Sequence, residues 1–290
     1  MTRRSRAGLD AAVAYMKRVR AIGRLLRLAG HIFWALYLLL YRFPKLGAPE
    51  RERIVRAWTQ QALAIMGVRL QVLCEPPSAG PLLVICNHIS WLDILIINAS
   101  QPCRFISKAE VRRWPVLGTL VERAGTLFIE RQKRSDALRV AQQASAALRA
   151  GDLVALFPEG TTGDGQGILP FHASLLQAAV DADCPILPVA VVYLHGHGQA
   201  LLGEAARHEA PVYCGNTNLF ASVWRIVCAR DLQATLHWGE PDAAQGRDRR
   251  AWAESLRTEI GRLADQPLLP RTGEPPRWKK TPDRPDQKTA

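Results

Sequence analysis

Three short runs of this 290-residue chain are apolar without a break: PLLVIC at 81–86, LVALF at 153–157 and ILPVAVVY at 186–193. A strand with one wet face alternates in polarity. A run without alternation needs cover on both faces, as in a parallel sheet sandwiched between helices. RFIS at 104–107, TLFIE at 126–130 and a segment near 232–238 are further strand candidates. Helical patterns lie between them. SDALRVAQQASAALRAG at 135–151 has Ser135 placed to cap it and Gly151 to stop it, and more helices are expected at about 174–181 and 250–263. This alternation predicts an α/β fold, a central mostly parallel or mixed sheet flanked by helices. The domain spans about 70–265, and a Pro- and charge-rich tail at 266–290 is expected to be disordered.

The first 69 residues read differently. Residues 1–70 hold 14 Lys or Arg against 3 Asp or Glu, so nearly all of the formal charge of +12 sits there. The basic residues are interleaved with LAGHIFWALYLLLY at 28–41, a pairing that favours lipid over nucleic acid. Fourteen helical residues span roughly 21 Å, short of a hydrocarbon core of about 30 Å. Lengthening the run takes in Arg24 and Arg27, at about 3 kcal/mol each at mid-membrane. The expectation is a helix lying in the interface or partly inserted; a core helix with a solvated basic flank is the alternative. Lys17, Arg18, Arg20, Arg24 and Arg27 would add about 1 kcal/mol each beside an anionic leaflet. No small-residue cleavage site follows the run, so a signal peptide is not expected. PERERIVRAWTQQALAIMG at 49–67 forms a second helix, with Pro49 in its first turn, Ile54, Trp58, Ala62 and Ile65 as its stripe, and Gly67 at its end. The pair is expected to dock on a membrane.

The six cysteines are scattered, with no C-x-x-C pair, which suits a reducing compartment. No metal is expected, although His195, His197 and Asp93 leave a metal hydrolase open as a rival.

Chemistry concentrates in VICNHISWLDIL at 84–95. Ser90 fits a helix N-cap with Asp93 three residues on, a capping box. His88 then lies just before the helix and Asp93 in its first turn. Asp93 can accept a hydrogen bond from one imidazole nitrogen and leave the other as a general base. A second concentration is LFPEGTTGDGQG at 156–167, where Gly160, Gly163, Gly165 and Gly167 free the backbone beyond a strand end that carries Glu159. It lacks the G-K-[ST] of a nucleotide-binding loop.

N-H-x-S-x-x-D at 87–93, G-T-L-F-I-E-R at 125–131, F-P-E-G-T-T at 157–162 and C-P-I-L-P-V at 184–189 resemble, in order and spacing, the motifs of the glycerolipid acyltransferase family, to which lysophosphatidic acid acyltransferases belong. The likeness covers roughly 70–240. It implies acyl transfer from an acyl thioester (acyl-ACP or acyl-CoA as co-substrate, no bound cofactor) to a lysolipid hydroxyl, with 1-acylglycerol-3-phosphate the leading acceptor. His88 would be the base, Asp93 its orienting partner, and Glu159 the third member of the catalytic group. Asn87, Ser90, Lys108, Gly125, Phe128, Arg131, Gly160, Thr161 and Thr162 would line the substrate site, with Arg131 a partner for a phosphate. The resemblance also implies membrane lipids as partners at the cytoplasmic face of the inner or plasma membrane. An acidic acyl carrier protein could meet Arg112, Arg113, Lys133 and Arg134. Many phosphatidic acid-forming members carry Arg where this chain has Thr162, and Lys where it has His172. The F-P-E-G-T-T…D-G…L-P-F form, with VWRI at 223–226, resembles relatives that acylate lyso-ornithine lipid or other lysolipids. A non-catalytic lipid-binding protein of the same fold is the rival from another class.

Overall fold

The computed structural model describes residues 3–75, 80–114, 116–129, 134–196, 207–215 and 217–266. Arg131, Lys133, His197 and the tail from 267 lie outside the described residues. Helix α1 (Arg3–Tyr37) runs through a π turn and a 3-10 turn into helix α2 (Ala48–Met66). Strands β1 (Arg69–Leu73) and β2 (Leu82–Cys86) follow, then α3 (Leu92–Ser100), β3 (Arg104–Lys108), α4 (Leu117–Arg123) and β4 (Leu127–Ile129). The rest is α5 (Arg134–Arg149), β5 (Leu153–Leu156), α6 (Gln177–Ala182), β6 (Ile186–His195), α7 (Leu219–Cys228), β7 (Leu232–Trp238) and α8 (Arg249–Asp265).

The strands form one seven-stranded sheet in the order β1-β7-β6-β2-β5-β3-β4. Strands β6, β2, β5, β3 and β4 run parallel; β7 is antiparallel to β6 and parallel to β1, so the sheet is mixed. Strand β2 is buried along its whole length, as an unbroken apolar run requires. Its alternate side chains enter two cores. Leu82, Val84 and Cys86 face α2, α3 and α7; Leu83 and Ile85 face α5, α6 and α8. The parallel group puts the carboxyl ends of β2, β5 and β3 at one edge, where α/β sheets hold their ligands.

The amino-terminal helices depart from expectation in two ways. The basic residues do not interrupt α1, so the helical run Tyr15–Lys45 is long and apolar enough, by length and composition, to cross a membrane. The run is also fastened to the sheet domain. Ala21 of α1, with Leu63 and Met66 of α2, belongs to the same core as β2 and β6. Arg24 donates to the carbonyls of Val227 (2.8 Å) and Ala229 (3.3 Å) at the end of α7, and Arg20 donates to Cys228 O (3.3 Å). The Arg24 guanidinium fills the space over Gly67, which ends α2 in the left-handed conformation (φ +79°). The buried stripe of α2 is Thr59, Ala62, Leu63 and Met66, turned slightly from the one expected.

Strand β1 and helices α4 and α7 were not expected. Ser135 lies inside α5 rather than at its cap. Arg24→Ala should lower stability by about 2 kcal/mol in urea denaturation, because a charged donor leaves two part-buried carbonyls.

Candidate active site

The site begins with Asn87, directly after β2. Its side chain continues the strand ladder: Oδ1 accepts from Val191 N (2.8 Å) and Nδ2 donates to Val191 O (3.0 Å). Asn87 is buried and fixes β2 against β6, so it is committed to the fold.

His88 comes next, stacked on Phe157 with ring centroids 3.8 Å apart. Its Nδ1 lies 2.8 Å from Asp93 Oδ2. The same oxygen accepts from the amides of Ile89 (2.8 Å) and Ser90 (2.9 Å), and Oδ1 accepts from the Tyr193 hydroxyl (2.6 Å). Asp93 is fully buried, and four donors supply what water cannot. A carboxylate only accepts, so a neutral imidazole here carries its proton on Nδ1 and presents Nε2 as its unprotonated nitrogen. The His88 side chain keeps 18% of its surface exposed, so the ring remains reachable from solvent.

The expected capping box is half present. Asp93 accepts from Ser90 N as a capping acid does, but Ser90 Oγ accepts from Leu92 N (3.3 Å), and α3 starts one residue late, after Trp91. Tyr193 had no signal in its local sequence. It reaches Asp93 only because β6 pairs with β2 in this register. Burial first, then the Asp93 charge, pushes the Tyr193 phenol well above its usual range, so it stays a donor.

Glu159 is buried and braces the corner through main chain. Oε1 accepts from His88 N (2.8 Å) and Oε2 from Leu169 N (3.2 Å). The following loop closes on the same place, with Gly163 N donating to His88 O (2.7 Å) and Gly160 in a left-handed conformation (φ +72°). The Thr162 hydroxyl donates to Tyr213 O, and Tyr213 N donates to Ile89 O (3.0 Å), so Thr162 ties the loop to segment 207–215. Thr161 is exposed beside it.

Of the other expected residues, Lys108 stands exposed at the carboxyl end of β3, on the site edge. Phe128 is half-buried in β4, with the Arg112 guanidinium over its ring (5.9 Å). Gly125 sits elsewhere. It precedes β4, at the amino ends of the parallel strands, and its carbonyl accepts from Arg104 Nε (3.1 Å). Its place in the motif reflects the turn (φ +84°) rather than nearness to His88. Arg112 pairs with Glu122 (2.5 Å) and Arg113 is exposed. Two features count against the metal reading. Asp93 has both oxygens engaged, and His195 stacks on His208 (4.3 Å). Among the described residues there is no cluster of metal-ligating side chains.

Fold and corner together define an α/β protein with a carboxylate-oriented histidine at a strand end. A family model described as Acyltransferase matches residues 68–192. The chain is 36% identical over 217 residues to the 1-acyl-sn-glycerol-3-phosphate acyltransferase of Neisseria gonorrhoeae, covering 74% of this chain and 82% of that protein. It is 34% identical over 255 residues to the lyso-ornithine lipid O-acyltransferase of Pseudomonas aeruginosa, covering 86% and 95%. The crystal structure of the 1-acyl-sn-glycerophosphate acyltransferase PlsC from Thermotoga maritima shares the fold, with a TM-score of 0.58 at 20% identity over 84% of this chain and 95% of that one. The chain belongs to this acyltransferase family.

Burial raises the Glu159 pKa to about 7; the amides of His88 and Leu169 and the Arg257 charge oppose the rise, and the Asp93 charge adds to it. The folded state therefore holds an extra proton between pH 4.5 and about 7, and stability falls as pH rises across that window. Glu159→Gln removes this contribution. The wild-type-minus-variant difference in urea-unfolding free energy should drop by about 3 kcal/mol across the window.

Proposed function

We propose that this protein transfers a fatty acyl group from the thioester of acyl carrier protein or coenzyme A to the free hydroxyl of a lysolipid, with 1-acylglycerol-3-phosphate as acceptor. The observation that carries the reading is the buried Asp93 holding His88 Nδ1, with four donors on one carboxylate. In this reading Nε2 takes the proton of the lysolipid hydroxyl as its oxygen attacks the thioester carbonyl. The tetrahedral oxyanion collapses, the C–S bond breaks, and the imidazolium returns its proton to the departing thiolate. Asp93 stabilises the imidazolium between the two steps. Tyr193 keeps Asp93 in place, and Glu159 acts as a positioning residue for the His88 main chain. The amides of Ile89, Ser90, Leu92 and Asp93 are already committed, so they are not the oxyanion donors.

Residues 1–69 dock the enzyme to the cytoplasmic leaflet, and 70–265 carry the chemistry. Tyr15, Val19, Ile22, Leu26, Phe33 and Tyr37 recur on one exposed face of α1, and exposed Arg18 and Arg27 flank it. The opposite face grips the α/β body, which favours lying in the interface over spanning it.

A second reading concerns the acceptor. Thr162 spends its hydroxyl on Tyr213 O and offers no cation, and His172 is exposed where a lysine would stand. Lyso-ornithine lipid fits a site that does not require a phosphate contact there. Purified enzyme given both acceptors with labelled acyl carrier protein or acyl-coenzyme A decides the matter. Turnover of 1-acylglycerol-3-phosphate supports the first reading, and turnover of lyso-ornithine lipid alone replaces it.

His88→Ala should lose about 10²–10⁴-fold in turnover while still folding, with a lowered melting temperature because Asp93 loses one of its four donors. Tyr193→Phe removes a hydrogen bond to a charged group and should lose about tenfold or more in kcat with KM little changed. A folded His88→Ala that retains most of its turnover would refute the mechanism.

A further inference from the structure

Helix α7 carries two large aromatic side chains that the fold leaves exposed, one almost wholly and one in part. Phe220 is 87% exposed and Trp224 is 40% exposed, although Ser222, Ile226 and Val227 of the same short helix are buried. Residues 220 and 224 are one turn apart and share a face. That face leads toward the end of α7, where Arg20 and Arg24 of α1 grip the carbonyls of residues 227–229. Helix α1 thus packs against α7 through its arginine-bearing side, while Tyr15, Val19, Ile22 and Leu26 stay exposed on its outer face. Lys17, Arg18 and Arg27 of α1 are exposed as well, a complement to anionic headgroups. Exposed large apolar side chains on two helices packed against each other, with basic residues on one of them, mark an interaction face. Trp and Phe are side chains suited to the headgroup–acyl boundary.

Helix α7 is also tied to the chemistry. Trp91, three residues after His88, donates its indole N–H to Ser222 Oγ (3.0 Å). Arg225 donates to Val212 O (2.7 Å), in the segment whose Tyr213 meets both Ile89 and Thr162. The side of α7 that faces the protein thus supports the catalytic corner, while its other side is apolar and bare.

We infer that α7 is a second leaflet-contacting element, inserting Phe220 and Trp224 beside α1 and holding the mouth of the His88 site against an anionic lipid surface. The inference rests on the lysolipid reading for its purpose, and on the surface alone for its binding. Flotation of the full chain with vesicles of equal parts phosphatidylcholine and phosphatidylglycerol tests it. Phe220→Ser with Trp224→Ser should lower partitioning about tenfold or more, since two apolar side chains are lost from the interface. The variant should melt like the wild type and keep its turnover of detergent-dispersed acceptor. Phe220→Asp alone repeats the test at the more exposed position. Wild-type partitioning in these variants overturns the inference. So does a loss of self-association on sedimentation without a loss of flotation, which would mean that a second copy covers the face. A wild type that floats and responds to the substitutions yet transfers no acyl group defeats the proposed reaction and leaves this inference standing.

Discussion

The Asp93 carboxylate is the interaction on which the rest depends. A bare buried carboxylate costs several kcal/mol, and only a complete set of donors offsets it. Here those donors come from three levels of the structure. The amides of Ile89 and Ser90 require the tight turn from β2 into α3. The imidazole requires His88 to be the second residue after the strand. The Tyr193 hydroxyl requires β6 to lie beside β2 in one register, which Asn87 secures at Val191, two residues before Tyr193 on the same face. A register slip would turn Tyr193 to the other face and leave Asp93 one donor short. The local motif and the sheet are therefore one device.

Much of this was legible because its periods are strong. The unbroken run at 81–86 is typical of a strand covered on both faces, and it sits at the centre of the sheet. The spacing of His88 and Asp93 predicted their contact, and it is there at 2.8 Å. What escaped the sequence was long-range. Tyr193 looks like an ordinary strand residue until β6 is placed 100 positions from Asp93. Gly125 shares a motif with Phe128, but it opens β4 while His88 follows the end of β2, and strand direction separates them. The helix continues through the arginines that bound the 14-residue apolar run. Arg20 and Arg24 are bound to carbonyls at the end of α7, on the side of α1 turned away from its apolar stripe. Strand β1 is five residues long and partly exposed at the sheet edge, too short and too mixed for its period to stand out.

Placing the chemistry at a membrane suits an acceptor that is itself an amphiphile. Helix α1 binds the body with one face and leaves an apolar face bare, and α7 does the same on a smaller scale. Between them runs a chain of contacts from Trp91 through Ser222, and from Thr162 through Tyr213, into the corner that holds His88. The inferred leaflet contact of α7 and the corner that holds the imidazole are thus joined through the same few residues.

The central claim is that Asp93 fixes His88 in the tautomer that carries its proton on Nδ1, leaving Nε2 as the base. Nitrogen-15 spectroscopy of the histidine rings in the folded protein tests it directly, with His88 assigned by substitution. At a pH where the ring is neutral, the account predicts a protonated Nδ1 with a strongly downfield proton and an unprotonated Nε2, both signatures weakening in Asp93→Asn. A neutral ring protonated on Nε2 would contradict it, because the nitrogen needed as the base would already hold a proton.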